Sequence, residues 1–181
     1  VVYERKQVAG GLNTAGIAPY KLLADDSVNE IDWVRSLGAV EIVTGAEIGP
    51  AGSVTPSRLV SEYDAVFLGL GLGDDSKMSV HGEDGPGVFG ATALIERIKL
   101  DPTLSLEGVR RALVVGGGNT AIDAAHELKL LGVKDVAMVY RRTSDLMSGY
   151  AHEMDYAKRH GVQLLENRLP TYVIRGDAGK L

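Results

Sequence analysis

The residues with the clearest chemical capacity lie between positions 112 and 142. The apolar run Ala112-Leu113-Val114-Val115 leads directly into Gly116-Gly117-Gly118-Asn119-Thr120-Ala121. In the order strand, Gly116-x-Gly118-x-x-Ala121, helix, each small position has a task. The first glycine permits the tight turn and the second lets backbone approach a pyrophosphate. The third position must be small so that helix and strand pack closely. The free N–H groups at the helix start then face the phosphates. Read this way, Gly116, Gly118, Asn119 and Thr120 hold a dinucleotide. The competing reading is a glycine turn that only allows close packing.

A second strand, Asp135 to Tyr140, ends in Tyr140-Arg141-Arg142-Thr143. An NAD site usually carries Asp or Glu there for the ribose 2′-hydroxyl. Two guanidinium groups suit a 2′-phosphate instead, which they can bind bidentately. Arg141 and Arg142 therefore favour NADP(H) over NAD(H), with a solvated basic turn as the competing reading. A further cluster, Gly69-Leu70-Gly71-Leu72-Gly73, is followed by Asp74 and Asp75 where an anion would need a helix start. It reads either as a flexible crossover or as a close passage beside a flat cofactor.

The elements that must position these groups alternate. A buried strand ends at Tyr3, and Gln7 to Lys21 is glycine-rich and irregular. Asp26 or Ser27 caps a helix to about Leu37, with Val28, Ile31, Val34 and Leu37 on one face. A strand spans Val40 to Thr44, and Thr55-Pro56 opens a short helix to about Glu62. Ala65 to Leu68 reads as a strand. A helix spans Ala91 to Leu100, and another runs from Asn119 to Leu131 until Gly132 stops it. Gly149 to His160 is helical, Val162 to Leu165 is a strand, and Tyr172 to Ile174 with Gly176-Asp177 starts a hairpin. Strands separated by helices imply an α/β fold with parallel pairing and right-handed crossovers. The polar stretch around His81 to Gly87 marks the main boundary.

Composition narrows the function. The 181 residues carry 19 Lys+Arg and 24 Asp+Glu, so the net charge is 19 − 24 = −5. That balance disfavours electrostatic binding to nucleic acid or to an anionic membrane. With no cysteine, disulfides, thiol chemistry and Cys-ligated zinc or iron–sulfur clusters are excluded within these residues. A cytoplasmic location is compatible with that count. No apolar run approaches the roughly 20 residues needed to span a bilayer. His81, His126, His152 and His160 show no metal-ligand spacing, and His126 and His160 read as surface residues. Asp25-Asp26 and Asp74-Asp75 read as caps or loop charges, and Trp33 as core or edge packing. The chain starts in strand-like residues and stops inside a hairpin pattern, which reads as a piece of a longer protein.

Several motifs together resemble one family. They are Val2-Tyr3-Glu4-Arg5, Gly10-Gly11-Leu12, Gly16-Ile17-Ala18-Pro19-Tyr20-Lys21-Leu22, Tyr63 to Gly71, Gly82-Glu83-Asp84, Val114 to Ala125, and Val139 to Arg142. The chain resembles the FAD- and NADPH-dependent oxidoreductases typified by the small subunit of glutamate synthase. The N-terminal half of dihydropyrimidine dehydrogenase is similar. The resemblance implies Rossmann-like parallel sheets of the glutathione-reductase type, with a discontinuous FAD domain into which an NADPH domain is inserted. It divides the chain into residues 1–80, a partial FAD domain, and 88–181, an NADPH-binding domain incomplete at its C-terminus.

The resemblance also assigns residues. Glu4 matches the acidic group that holds the adenosine ribose, and Gly10, Gly11 and Leu12 match a loop along the flavin. Gly69 and Gly71 match the crossover beside FAD. Gly116, Gly118, Asn119 and Thr120 match the NADPH pyrophosphate loop, and Arg141 and Arg142 the 2′-phosphate site. No catalytic side chain is implied, because hydride transfer needs no protein nucleophile. Hydride passes from NADPH to FAD, and electrons leave through iron–sulfur clusters in the parent or a partner, not in this chain. The implied partner is a larger glutamate synthase-type catalytic subunit.

The family's FAD fingerprint, its C-terminal FAD segment and its cysteine-rich region have no counterpart here. Ala15 stands where an aromatic residue is common. Ser148 follows Met147 where glutamate synthase small subunits usually carry Pro, which leans toward the pyrimidine-reducing branch or another paralogue. A dihydropyrimidine dehydrogenase-type parent, with the same fold and another partner, is the first alternative. A plain ferredoxin–NADP reductase is a weaker one. A non-catalytic nucleotide-binding module is the alternative of another class.

Overall fold

The computed structural model describes residues 1–176. Two parallel sheets organise them. The first pairs β1 (Val2–Tyr3) with β2 (Ile42–Val43), in register Val2 to Ile42 and Tyr3 to Val43. The second has the order β3 (Arg111–Val115), β4 (Asp135–Val139), β5 (Val162–Leu165), all parallel. Helix α5 (Asn119–Leu130) connects β3 to β4, and α6 (Ala151–Arg159) connects β4 to β5. Parallel neighbours require such crossovers, so the α/β class follows from the alternation read in the sequence.

The main core lies between this second sheet and α5. Ile122, Ala125 and Leu128 of α5 meet Val136 and Met138 of β4, with Met154 and Ala157 of α6 and Val162 of β5 closing the layer. A smaller core under the first sheet joins Ala46, Val54 and Leu59 with Tyr3, Val43 and Tyr63. Helix α3 (Pro56–Glu62) starts as its sequence requires: Thr55 Oγ1 accepts the Arg58 N–H at 3.2 Å, with Pro56 in the first turn.

Helix α4 (Ala91–Leu100) packs against both α5 and the short helix α1 (Gly11–Ala15). Its N-terminus is held by Asp75, whose carboxylate accepts from Thr92 N–H at 3.0 Å and Ala93 N–H at 3.1 Å. Asp75 is thus the cap that its type suggested. Two further bonds tie the first part of the chain to α4. Lys6 pairs with Glu96 at 2.5 Å, and Lys99 Nζ donates to the Asn13 carbonyl at 2.8 Å.

Several local expectations change. The 7–21 stretch is not wholly irregular, because α1 forms there, with Gly10 as its N-cap at φ 112°. Helix α2 (Ala24–Ser36) starts earlier than Asp26, after an extended Leu23. Ser27 does not cap it; its hydroxyl is buried against Thr14 Oγ1 at 2.8 Å. Trp33 is 64% exposed rather than packed. The edge strand is shorter than Val40 to Thr44, and Ala39 sits at φ 63° before it.

Ala65 to Leu68 forms no strand. It pairs with no strand among the described residues and leaves Phe67 94% exposed. Its apolar, β-branched composition sets a propensity, and a strand exists only where a neighbour completes the ladder. Tyr172 does not open a hairpin inside the described residues. It forms a parallel bridge with His81, reinforced by Val173 N–H to the His81 carbonyl at 2.8 Å. The Asp177 half of the expected turn lies outside the described residues. Arg175 adds to that seam by donating to the carbonyls of Gly82 and Pro86.

Candidate functional site

The carboxyl ends of β3 and β4 lie side by side. Val115 is in register with Val139, and the next amide, Gly116 N–H, donates to the Val139 carbonyl at 3.0 Å. The glycine loop therefore leaves β3 directly beside the point where Tyr140-Arg141-Arg142 leaves β4. In open parallel α/β sheets, that carboxyl edge is where nucleotides bind.

Gly116 has φ 144°, a conformation L side chains rarely adopt, and a Cβ there would lie 3.1 Å from Ala121 Cβ. The first and third small positions thus pack on each other, as the motif requires. Gly118 is the N-cap of α5, with only Ser148 Oγ, 3.7 Å away, near the place of a Cβ. The space in front of it is available to an external group. The first amides of α5, on Asn119 and Thr120, have no intrahelical acceptor and point out of the helix end.

The middle glycine, which the spacing left unassigned, is as constrained as its neighbours. A Cβ on Gly117 would lie 2.5 Å from Tyr140 Cε2. Tyr140 is buried, and its hydroxyl donates to the Leu146 carbonyl at 2.7 Å. The ring thus sits against the loop and links it to the segment after β4. A one-residue 'x' carries no side-chain signal, so only the fold reveals this contact.

Asn119 does more than sit in the loop. Its Oδ1 accepts the Tyr150 N–H at 2.8 Å, and Tyr150 is the N-cap of α6. Beside it, Gly149 N–H donates to the Gly117 carbonyl at 2.9 Å. The loop is therefore braced from behind by the start of α6. Arg141 and Arg142 are exposed and in no ion pair among the described residues, with Arg142 5.7 Å from the Tyr140 ring centre. Two guanidinium groups without an acidic partner among the described residues therefore stand at this edge.

The flavin-side candidates all come from the first part of the chain. Glu4 follows β1 directly, and its Oε1 accepts the Lys6 N–H at 2.7 Å. Just before it, Tyr3 lines a cleft of about 370 Å³ with Val43, Glu41, Arg58 and Tyr63. Gly10, Gly11 and Leu12 form the start of α1, with Leu12 exposed. A Cβ on Gly10 would lie 2.0 Å from Thr14 Oγ1. Gly69 and Gly71 lie in the exposed 65–73 segment, Gly71 at φ 71°.

Sequence reasoning missed the densest polar cluster. His126 is not a surface residue but 1% exposed, and neither ring nitrogen has a hydrogen-bond partner among the described residues. Tyr20, Tyr156 and His160 surround it at 4.5, 4.9 and 4.8 Å between ring centres. Burial, and then the nearby His160, hold its pKa below the usual histidine value. Next to it Lys21 Nζ lies 2.7 Å from both Asp123 Oδ1 and Glu153 Oε1. Burial lowers the Lys21 pKa, but the two carboxylates outweigh that and leave it raised. Glu127 is pushed upward by burial, opposed by the hydrogen bond from Tyr20 N–H. Its signal was the contact of residues over a hundred positions apart, which no local pattern encodes. No group of three or more acidic, His or Cys side chains suited to a metal occurs among the described residues. None of their helices is long and apolar enough to cross a membrane.

A parallel α/β sheet with a glycine loop at its carboxyl edge defines a dinucleotide-binding protein class. Residues 5–180 match the family described as pyridine nucleotide-disulphide oxidoreductase, and the chain belongs to it. Among curated relatives, the NADP(+)-dependent formate dehydrogenase subunit beta of Moorella thermoacetica is 38% identical over 163 residues, covering 89% of this chain and 22% of the relative. The glutamate synthase [NADPH] small chain of Halomonas elongata is 37% identical, covering 98% and 39%. That of Escherichia coli is 32% identical, covering 100% and 40%. The chain thus spans less than half the length of these relatives. The structure of FprA from Mycobacterium tuberculosis in complex with NADPH superposes with a TM-score of 0.68 at 22% identity, covering 88% of this chain and 40% of that one. That likeness supports the glutathione-reductase-like α/β fold.

Proposed function

We propose that these residues carry the NADP(H) site and part of the FAD site of an NADPH-dependent flavoprotein oxidoreductase. The single observation that carries the reading is the Gly116 to Val139 bond, which sets the glycine loop beside Arg141 and Arg142. Residues 88–181 form the NADPH-binding part, and residues 1–80 the flavin-side part. The family match supports a pyridine-nucleotide oxidoreductase, and the names of the relatives support NADP(H) as its nucleotide.

The residues present fit NADP(H). Gly118 leaves open space, the α5 start offers free amides, and Arg141 and Arg142 are unneutralised. When bound, the two cofactors supply hydride transfer from NADPH to FAD. Gly116, Gly118, Asn119 and Thr120 bind and orient the pyrophosphate, and Arg141 and Arg142 select the 2′-phosphate. On the flavin side, Glu4 holds the adenosine ribose, next to the cleft lined by Tyr3 and Tyr63. Gly10, Gly11 and Leu12, with Gly69 and Gly71, lie along the flavin.

The parent protein is of the glutamate synthase small-subunit type, passing electrons to iron–sulfur clusters and a larger catalytic subunit. A second reading is favoured by the 38% identity to a formate dehydrogenase beta subunit: the same NADP(H) and flavin chemistry serving another acceptor. The test is anaerobic mixing of NADPH with the full-length, FAD-loaded protein. Flavin bleaching with NADPH and slow or no bleaching with NADH support the reading. A flavin that NADPH does not reduce contradicts it.

A further inference from the structure

Helix α5 carries a polar stripe of three side chains, Asn119, Asp123 and Glu127, each four residues from the next and so on one face. Asn119 holds the start of α6, as described. Asp123 and Glu127 are 6% and 4% exposed. Burying a carboxylate costs several kcal/mol unless hydrogen bonds or opposite charge compensate. Here the close polar contacts to both come from one dipeptide, Tyr20-Lys21, far away in sequence, and the Lys99 charge adds to them at Glu127. Tyr20 Oη donates to Asp123 Oδ1 at 2.6 Å, Lys21 Nζ pairs with the same oxygen at 2.7 Å, and Tyr20 N–H donates to Glu127 Oε1 at 2.9 Å.

The same stretch is anchored by packing. Ala18 is fully buried against Ile95 of α4 and Ala124 of α5. Lys21 also reaches Glu153 of α6 at 2.7 Å. Charge-assisted bonds are short and directional, so this contact fixes orientation as well as distance. Burial, the Asp123 hydrogen bond and the surrounding carboxylates all hold the Tyr20 hydroxyl protonated. It therefore remains a donor across the working pH range.

The geometry has a mechanical consequence. Helix α5 begins at the glycine loop, and the segment ending in Tyr20-Lys21 begins at Gly10. We propose that Asp123 is a positioning residue for hydride transfer: by gripping Tyr20 and Lys21 it sets how the dinucleotide helix stands relative to the 10–21 segment. This inference rests on the reading of Gly116 to Thr120 as the NADP(H) loop and of Gly10 to Leu12 as flavin-side. Asp123 touches neither cofactor in this account; it acts through the loop it holds. A misplacement of about 1 Å at a reacting centre can cost on the order of a hundredfold in rate.

The experiment compares the unmodified full-length, FAD-loaded protein with Asp123→Asn and Tyr20→Phe. Three quantities are read: NADPH affinity, the rate of flavin reduction at saturating NADPH, and hydrogen exchange of amides 20–22. The expected result in both variants is NADPH affinity within about twofold, faster exchange at 20–22, and flavin reduction slowed about tenfold or more. Tyr20→Phe removes one hydroxyl and keeps the test available if Asp123→Asn does not fold. Unchanged exchange in the variants overturns the grip itself. Faster exchange with an unchanged reduction rate overturns the positioning role. If the unmodified protein fails to bind NADPH, the glycine-loop reading fails instead, and the inference falls with it.

Discussion

Gly116 and Val139 are joined by one backbone hydrogen bond of 3.0 Å, and around it the two halves of the candidate NADP(H) site meet. One half is amide-rich and comes from the turn after β3. The other is cationic and comes from the end of β4. Neither half is specific alone: a helix start favours any anion, and a basic turn is usually only solvated. Their adjacency is what the proposed site for a pyrophosphate and a second phosphate rests on.

The Gly117 to Tyr140 contact makes the loop sensitive to a single methyl group. A Cβ on Gly117 would lie 2.5 Å from the ring, and the ring is held by its bond to Leu146. Gly117→Ala is expected to destabilise the chain by about 1–3 kcal/mol through overpacking. For a domain of this size that lowers Tm by about 2–4 °C per kcal/mol. Thermal unfolding checks it; an unchanged Tm contradicts the described packing.

Asp75 is expected to stabilise α4 by capping it from outside. Its carboxylate accepts from Thr92 and Ala93 N–H groups. Asp75→Ala is expected to cost about 1 kcal/mol, as other lost caps do. Hydrogen exchange at amides 92 and 93 speeds up if the bonds are as described, and stays unchanged if they are not.

His126 gives the chain an acid-sensitive term. Burial lowers its folded pKa below the unfolded value of about 6.5. Between the two values the unfolded chain binds more protons than the folded one, so stability rises with pH there. The contribution is fully present above about pH 6.5 and is lost as pH falls toward the folded value. His126→Phe keeps an aromatic ring among Tyr20, Tyr156 and His160 and removes the titration. The loss of Tm from about pH 7.5 to about pH 5.5 is expected to shrink in that variant. An identical loss in both proteins contradicts the assignment to His126.

The β3–loop–α5–β4 unit was legible in the sequence because every signal there is local. An apolar run, three glycines, a periodic helix with a glycine stop and a second apolar run follow within thirty residues. Arg141 and Arg142 were legible for the same reason, since strand register places them beside the loop. Helix α1 was not, because its five residues start at a glycine and show no periodicity. Ala65 to Leu68 misled because composition reports propensity, whereas pairing needs a neighbour. His126 and the Asp123–Tyr20 contact were hidden by distance, since Tyr20 and Asp123 lie 103 positions apart. The Asn119, Asp123 and Glu127 spacing was visible, but a polar helical stripe usually faces water. Only the fold turns that face inward.

The most direct test of the central claim is the ratio of NADPH to NADH affinity in the unmodified protein and in Arg141→Ala with Arg142→Ala. Hydrogen bonds to a charged group contribute about 1.5–3 kcal/mol each, which is about ten- to a hundredfold in Kd. Calorimetry or fluorescence titration is expected to give tighter NADPH binding in the unmodified protein. The double variant is expected to lose at least about tenfold for NADPH and little for NADH. Equal affinity for the two nucleotides, or NADPH binding that survives both substitutions, contradicts the account.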